Sequence, residues 1–271
     1  MATQTSICTF AMIPVRANPA EGAEMVTQIL FGETYHVLGI EGRWASIRTV
    51  DDDYPGWIDA KLVTEVADSE FAQWTGGSKH VTCTPFSNIE AMEEGNIFPK
   101  LVPMGSVIAN AKSVPTLMGG EDHICLMNGH KFVLHEDGAE AEGRPQSPVE
   151  CAKRLLGAPY LWGGRTAFGI DCSGLVQLAF KVCGVQLPRD ASQMVGLGSD
   201  VAFGQQREND VAFFVNDKGR TCHVGLCMAD GRILHASGSV RIDTLDAQGI
   251  YNAERATHTH KLSCIKRLWD K

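Results

Sequence analysis

Cys172 is the residue whose type and setting point most directly to chemistry. Around it the chain reads Ala158-Pro-Tyr-Leu-Trp-Gly-Gly-Arg-Thr-Ala-Phe-Gly-Ile-Asp171-Cys172-Ser173-Gly174-Leu-Val. Glycines and turn residues give way there to apolar positions at Leu175, Leu178, Ala179 and Val182, the i, i+3, i+4, i+7 spacing of one helix face. Cys172 is therefore expected at a helix N-terminus, with Asp171 as its cap. Unpaired N–H groups and the helix dipole favour a thiolate at that position, and the thiolate is the nucleophilic form. A single cysteine is more often a small buried hydrophobe than a nucleophile. What distinguishes the reactive kind is a base within reach.

Two later segments offer one. His223-Val-Gly-Leu-Cys-Met and Arg232-Ile-Leu-His235-Ala read as strands joined by Ala229-Asp-Gly231. A three-residue loop with Gly231 left-handed pairs Met228 with Arg232. Gly225 then faces His235, and His223 lies diagonally on the same face. A two-residue Asp-Gly loop would shift the register by one and put the histidines on opposite faces. The triad chemistry requires the first register: His223 takes the thiol proton and His235 orients its ring. Two unrelated strand histidines are the alternative.

The rest of the chain must position these groups. Residues 1–66 carry short alternating patterns broken by Gly-Glu, Glu-Gly and Pro-Gly turns, as expected of a small β-barrel. Trp44 and Trp57 are expected in its core. Residues 67–137 repeat the style more loosely, with Val107-Ile-Ala, Ile124-Cys-Leu-Met and Lys131-Phe-Val-Leu-His as strands and Gly119-Gly and Asn128-Gly as turns, suggesting a second barrel. Residues 138–147 close an acidic Ala- and Gly-rich stretch without apolar periodicity, read as a linker. In Ser147-Pro-Val-Glu150 the serine caps a helix, Pro148 takes its first position and Glu150 closes a capping box. A further domain, 148–271, begins there.

Composition narrows the partners. The 271 residues are 44% apolar and 21% charged, a globular composition, with a formal charge of −8. No basic cluster stands out, which argues against nucleic acid; a substrate with a free amine suits the charge. No apolar run reaches the roughly 18 residues of a membrane span. The N-terminus shows no secretory pattern, and nine scattered cysteines read as reduced thiols. A cytoplasmic protein is expected. Cys8, Cys83, Cys125, Cys151 and Cys264 are expected to be structural.

The runs Pro-Tyr-Leu-Trp-Gly-Gly and Gly-Ile-Asp-Cys-Ser-Gly-Leu-Val, then His-Val-Gly and Ile-Leu-His-Ala, resemble the NlpC-type cell-wall cysteine peptidases over 148 to about 268. The first 60 residues resemble bacterial SH3-like domains, which one subgroup of that family carries. The resemblance implies an α+β architecture: a papain-like catalytic domain preceded by one or two small SH3-like β-barrels. It also implies cleavage of the γ-D-glutamyl–diamino acid bond of peptidoglycan stem peptides, with no cofactor and no metal. Carried over, Cys172 is the nucleophile, His223 the base and His235 the orienting residue. The Cys172 N–H and the Tyr160 hydroxyl assist the oxyanion. Ser173, Arg189 and Asp190 line the substrate pocket, Asp190 receiving the amine of an N-terminal L-alanine. The subgroup often has a hydroxyl residue directly after that Asp, where this chain has Ala191, with Ser192 one further on; a helix cap is the other reading of Asp190. Tyr54, in Asp53-Tyr-Pro-Gly-Trp57, corresponds to a tyrosine at the amine end of the cleft, or is a tyrosine packed on a turn.

Three rivals stand beside this reading. A zinc site of Cys222, His223, Cys227 and His235 is disfavoured because adjacent strand residues point to opposite faces. A silent wall-binding module leaves the Cys/His/His set without purpose. An amidase or acyltransferase on a related fold shares the thioester step and stays open.

Overall fold

The computed structural model describes residues 4–92, 98–115, 121–127, 129–135 and 144–269. Most of the expected linker (138–143 of it) and the Gly119-Gly and Asn128 turn positions lie outside them. The chain divides into two compact units, Met1–Arg144 and Pro145–Lys271.

In the first unit, β1 (Gln4–Ile7), β2 (Met12–Arg16), β3 (Met25–Leu30), β4 (Thr34–Glu41), β5 (Trp44–Thr49) and β6 (Pro55–Asp59) form an antiparallel barrel in the order β1-β4-β5-β6-β2-β3. Strand alternation fills its core with Ile13, Val15, Ile29, Tyr35, Val37, Ala45, Ile47 and Ile58. Trp44 and Trp57 are not core residues: Ala45, Ile47 and Ile58 take the inward parity. The two tryptophans point outward and are half-buried, with the Arg43 guanidinium over Trp44. After α1 (Asp68–Gly76) come β7 (Lys79–Val81), β8 (Phe86–Ala91), β9 (Leu101–Pro103), β10 (Val107–Ala109), β11 (Lys112–Pro115), β12 (Glu121–Met127) and β13 (His130–His135). β10 pairs with β7, and the others form a five-stranded sheet, β11-β12-β13-β8-β9. Ile7 and Phe31 of the barrel share one apolar cluster with Ile89, Val102, Ile108, Phe132 and Leu134 of this segment.

The second unit opens on α2 (Pro148–Lys153). Its Ser147 cap accepts from the Glu150 N–H, and Val149 and Ala152 are buried. A short ladder of β14 (Arg165–Thr166) and β15 (Gly169–Ile170) leads to α3 (Cys172–Val182), followed by α4 (Ala191–Met194). Seven antiparallel strands complete the unit: β16 (Ser199–Val201), β17 (Val211–Val215), β18 (Thr221–Cys227), β19 (Arg232–Ser237), β20 (Ser239–Leu245), β21 (Gly249–Asn252) and β22 (Thr257–Arg267). Their order is β16-β22-β17-β18-β19-β20-β21, and β21 pairs back onto β22. That last pairing closes β17 to β22 into a ring around Ala212, Phe214, Cys227, Ile233, Leu245, Ile250 and Ile265. The helix α3 packs on β18 and β19 from outside. No described helix is long and apolar enough to cross a membrane.

Candidate active site

The start of α3 is built by Asp171. Its Oδ1 accepts from the Gly174 N–H at 2.6 Å, and its Oδ2 accepts from the Gly163 N–H at 2.8 Å. Gly174 is required by crowding: a Cβ there would sit 2.4 Å from the Gly164 carbonyl oxygen and 2.9 Å from Asp171 Oδ1. The Arg189 guanidinium grips both carboxylate oxygens, at 3.1 and 2.6 Å, and donates to Ser173 Oγ at 2.7 Å. Arg189 is only 1% exposed. The guanidinium is held against the start of the nucleophile's helix, because the capping carboxylate it neutralises is itself buried.

The opposing wall follows the register that the chemistry demanded. Gly225 pairs with His235, Leu226 with Leu234 and Cys227 with Ile233. Gly231 is left-handed at φ 78°, and the Met228 N–H donates to the Arg232 carbonyl at 2.9 Å. Glycine at 225 leaves room for the facing histidine, since a Cβ there would lie 2.9 Å from His235 Cβ. The β18–β19 ladder stops at that pair, so His223 stands at its open end.

From there a chain of hydrogen bonds runs inward. His223 Nε2 is 2.8 Å from His235 Nδ1, and His235 Nε2 is 3.0 Å from Asp243 Oδ2. An ionised Asp243 only accepts, so His235 donates Nε2–H to it, and His235 Nδ1 accepts from His223 Nε2–H. His223 Nδ1 is thereby left as the proton acceptor. Burial works against the Asp243 charge, but hydrogen bonds from His235 and Arg241 outweigh it and hold the carboxyl at about 2. Asn252 Nδ2 also donates to it at 3.3 Å. Asp243 was not foreseen, although a signal existed. The hairpin turn at left-handed Gly238 pairs His235 with Arg241, and period two then puts Asp243 on the histidine's face.

The Cys172 thiol lies against the backbone N–H of Val224, the residue after His223. Burial, then the Asp171 charge, pushes it up to about 12, while the Val224 and Ser173 N–H groups and Arg189 pull the other way. His223 is pushed well below the usual imidazole range by burial first and by His260 and His235 next. Both shifts oppose a thiolate–imidazolium pair and favour a thiol beside a neutral imidazole at rest. Below the thiol pKa the thiolate fraction grows with pH. Alkylation of Cys172 by iodoacetamide should accordingly accelerate by about tenfold per unit between about pH 6 and pH 9. A rate already flat from about pH 5, read by mass spectrometry at Cys172, would show a resting thiolate–imidazolium pair instead.

Tyr160 is half-buried near the thiol. Burial and the charges of Cys172 and Asp171 raise its hydroxyl well above the usual phenol range, so it keeps a proton to donate. Asp190 caps α4, and its N–H donates to Gln193 Oε1 at 3.2 Å. Its half-buried side chain sits one residue from Arg189. Tyr54 belongs to the other unit, in the β5–β6 turn, where its N–H donates to Thr49 Oγ1 at 2.8 Å. Of the cysteines expected to be structural, Cys8, Cys83, Cys125 and Cys151 are buried and Cys264 is half-buried.

Comparison with known proteins places this geometry in a family. Residues 157–260 match the NlpC/P60 family, and residues 15–62 match the bacterial dipeptidyl-peptidase Sh3 domain. A Bacillus subtilis gamma-D-glutamyl-L-lysine dipeptidyl-peptidase is 30% identical over 243 residues, spanning 84% of this chain and 78% of that protein. Dipeptidyl-peptidase 6 of Lysinibacillus sphaericus is 27% identical over 264 residues, spanning 91% and 94%. The crystal structure of an NlpC/P60 family protein from Bacillus cereus superposes with a TM-score of 0.81 at 18% identity, covering 97% of this chain and 99% of that one, which supports the fold. The chain belongs to the NlpC/P60 family of cysteine peptidases, with an N-terminal SH3-like domain, and is a peptidase.

Proposed function

We propose that the protein hydrolyses the γ-D-glutamyl–L-diamino acid bond of free peptidoglycan stem peptides that begin with L-alanine. The observation that carries this reading is the buried thiol at a helix start, against the N–H of the residue that follows His223, together with the His223–His235–Asp243 relay. The name of the Bacillus subtilis relative, a gamma-D-glutamyl-L-lysine dipeptidyl-peptidase, supports the choice of bond. The role is murein peptide recycling in the cytoplasm, where the enzyme meets small muropeptides stripped of sugar.

The residues perform the reaction as follows. His223 Nδ1 takes the Cys172 proton as Sγ attacks the γ-carbonyl carbon. The developing oxyanion accepts from the Cys172 N–H, one of the first-turn groups that lack an intrahelical partner, and from Tyr160. His235, backed by Asp243, steadies the imidazolium. That imidazolium protonates the diamino acid's leaving nitrogen as the C–N bond breaks, leaving a thioester on Cys172. Water, deprotonated by His223, then attacks the thioester and releases L-Ala-D-Glu. Ser173 and Asp190 face the non-leaving part of the substrate.

Asp190 is the assigned partner of the alanine ammonium. A charge-assisted contact of this kind is worth about 1.5–3 kcal/mol, or about tenfold to a hundredfold in kcat/KM. The free tripeptide L-Ala-γ-D-Glu-diaminopimelate should therefore be cut that much faster than its N-acetyl form. Asp190→Ala should narrow the gap, and Tyr54→Ala tests the amine-end role that the resemblance assigns to that tyrosine. Equal rates for the free and acetylated peptides would remove amine recognition from the reading.

A further inference from the structure

His260 lies on β22, far in sequence from the cysteine and histidine motifs. Its ring nonetheless lies nearly parallel to that of His223, with 4.0 Å between centroids and 23° between planes. Phe214 of β17 flanks both, at 5.8 Å from His223 and 6.1 Å from His260. His235 of β19 meets both edge-on, at 5.1 and 5.9 Å. From β20 the Asp243 carboxylate acts on His260 by its charge. From β21 Ile250 pairs with it, and within β22 Thr259 Oγ1 is 2.9 Å from His260 Nδ1. His260 also lines a cleft of about 660 Å³ with Asp217, Cys222, His258 and Lys261.

The terminal torsion of histidine is broad, so His223 does not fix its own ring plane. The hydrogen bond to His235 pins one ring atom and leaves rotation about that contact. A flat wall against the ring face removes the remaining freedom. Burial, then the His235 charge, lowers His260 to about 4 although Asp243 pulls it up, so at neutral pH the wall is uncharged. An uncharged ring can stack on His223 without repelling the imidazolium that forms during turnover, and an aromatic face attracts such a cation.

We propose that His260 is a positioning residue for the catalytic base: its ring fixes the His223 imidazole so that Nε2 stays on His235 and Nδ1 stays turned to the thiol. The inference rests on His223 being the base, and it makes the flat face, rather than the nitrogens, the working part of His260.

Two variants of similar bulk separate these properties. His260→Phe keeps a flat ring and His260→Gln keeps polarity. On L-Ala-γ-D-Glu-diaminopimelate, His260→Phe should hold kcat within about threefold. His260→Gln should lower kcat about tenfold or more while KM moves less than about twofold. Without the stacked ring, His223 meets water, and its pKa rises toward the ordinary imidazole value. The acid limb of kcat/KM should therefore move to higher pH in His260→Gln. The same upward shift should appear in the ¹⁵N titration of His223 without substrate. A His260→Gln enzyme with unchanged kcat and unchanged His223 titration would overturn the proposal. So would a raised KM at constant kcat, which would make His260 a wall of the substrate cleft, or a Phe variant as impaired as the Gln variant. If the wild-type protein did not cleave this peptide, the substrate reading would fall by itself, and the His223 titration would still test the stack.

Discussion

Replacing Cys172 by alanine is expected to leave no measurable hydrolysis of L-Ala-γ-D-Glu-diaminopimelate, a loss of about 10⁴-fold or more, with the fold intact. The size follows from the mechanism. Removing the nucleophile of an acyl-transfer site removes the covalent path, and the oxyanion donors then have no thioester-forming step to assist. The intact fold follows from the structure of the helix start. Asp171, Gly174 and Arg189 hold it without the sulfur, and deleting one Sγ leaves a cavity costing about 1 kcal/mol. The competing explanation is an exposed thiol elsewhere, and Cys222 is the exposed cysteine. Mass-mapped alkylation distinguishes the two. Activity should fall in step with modification of Cys172 and survive modification of Cys222 alone. Turnover above about 1% of wild type in a verified Cys172→Ala preparation would end the assignment, since no other group in the relay can attack a carbonyl as cysteine does.

How far the site was legible depended on whether its determinants were local. The start of α3 was legible because a cap, a glycine and helical periodicity all fall within ten residues of Cys172. The histidine register was legible because one turn decides it: a left-handed Gly231 puts His235 opposite Gly225. Asp243 needed one more hairpin to be counted and was missed, although parity from Gly238 contained it. His260 was beyond reach, because the β22–β17 pairing that brings it to His223 joins segments nearly fifty residues apart, as Phe214 with Leu262. The grip of Arg189 on Asp171 was illegible for a related reason. The partner that buries it, Asp171, is 18 residues away. In the first unit, Trp44 and Trp57 were expected in the core. Parity decided otherwise, because a strand residue's direction is set by its neighbours and not by its size.

Arg189→Ala should destabilise the catalytic unit by about 3–5 kcal/mol, because it leaves the Asp171 carboxylate buried without its cation. The side chains of Arg189 and Asp171 are 1% and 7% exposed, so solvent cannot replace the guanidinium without local opening. The pair is bidentate, and the carboxylate also carries the Gly163 and Gly174 N–H groups, so its loss loosens both the loop before Cys172 and the first turn of α3. Activity per folded molecule should fall as well, since the nucleophile's amide and sulfur are placed by that turn. Arg189→Lys should recover only part of the stability: an ammonium supplies charge but not the fork that matches two carboxylate oxygens. A buried pair need not be net stabilising against apolar replacements, so the informative quantity is the coupling in a double-mutant cycle with Asp171→Asn and Arg189→Met. We expect about 2 kcal/mol or more of coupling, read from urea midpoints at a constant m-value. A single-mutant loss under about 1 kcal/mol, with unchanged kcat, would show that the Cys172 helix is held by its backbone packing alone and that the buried fork contributes nothing to placing the nucleophile.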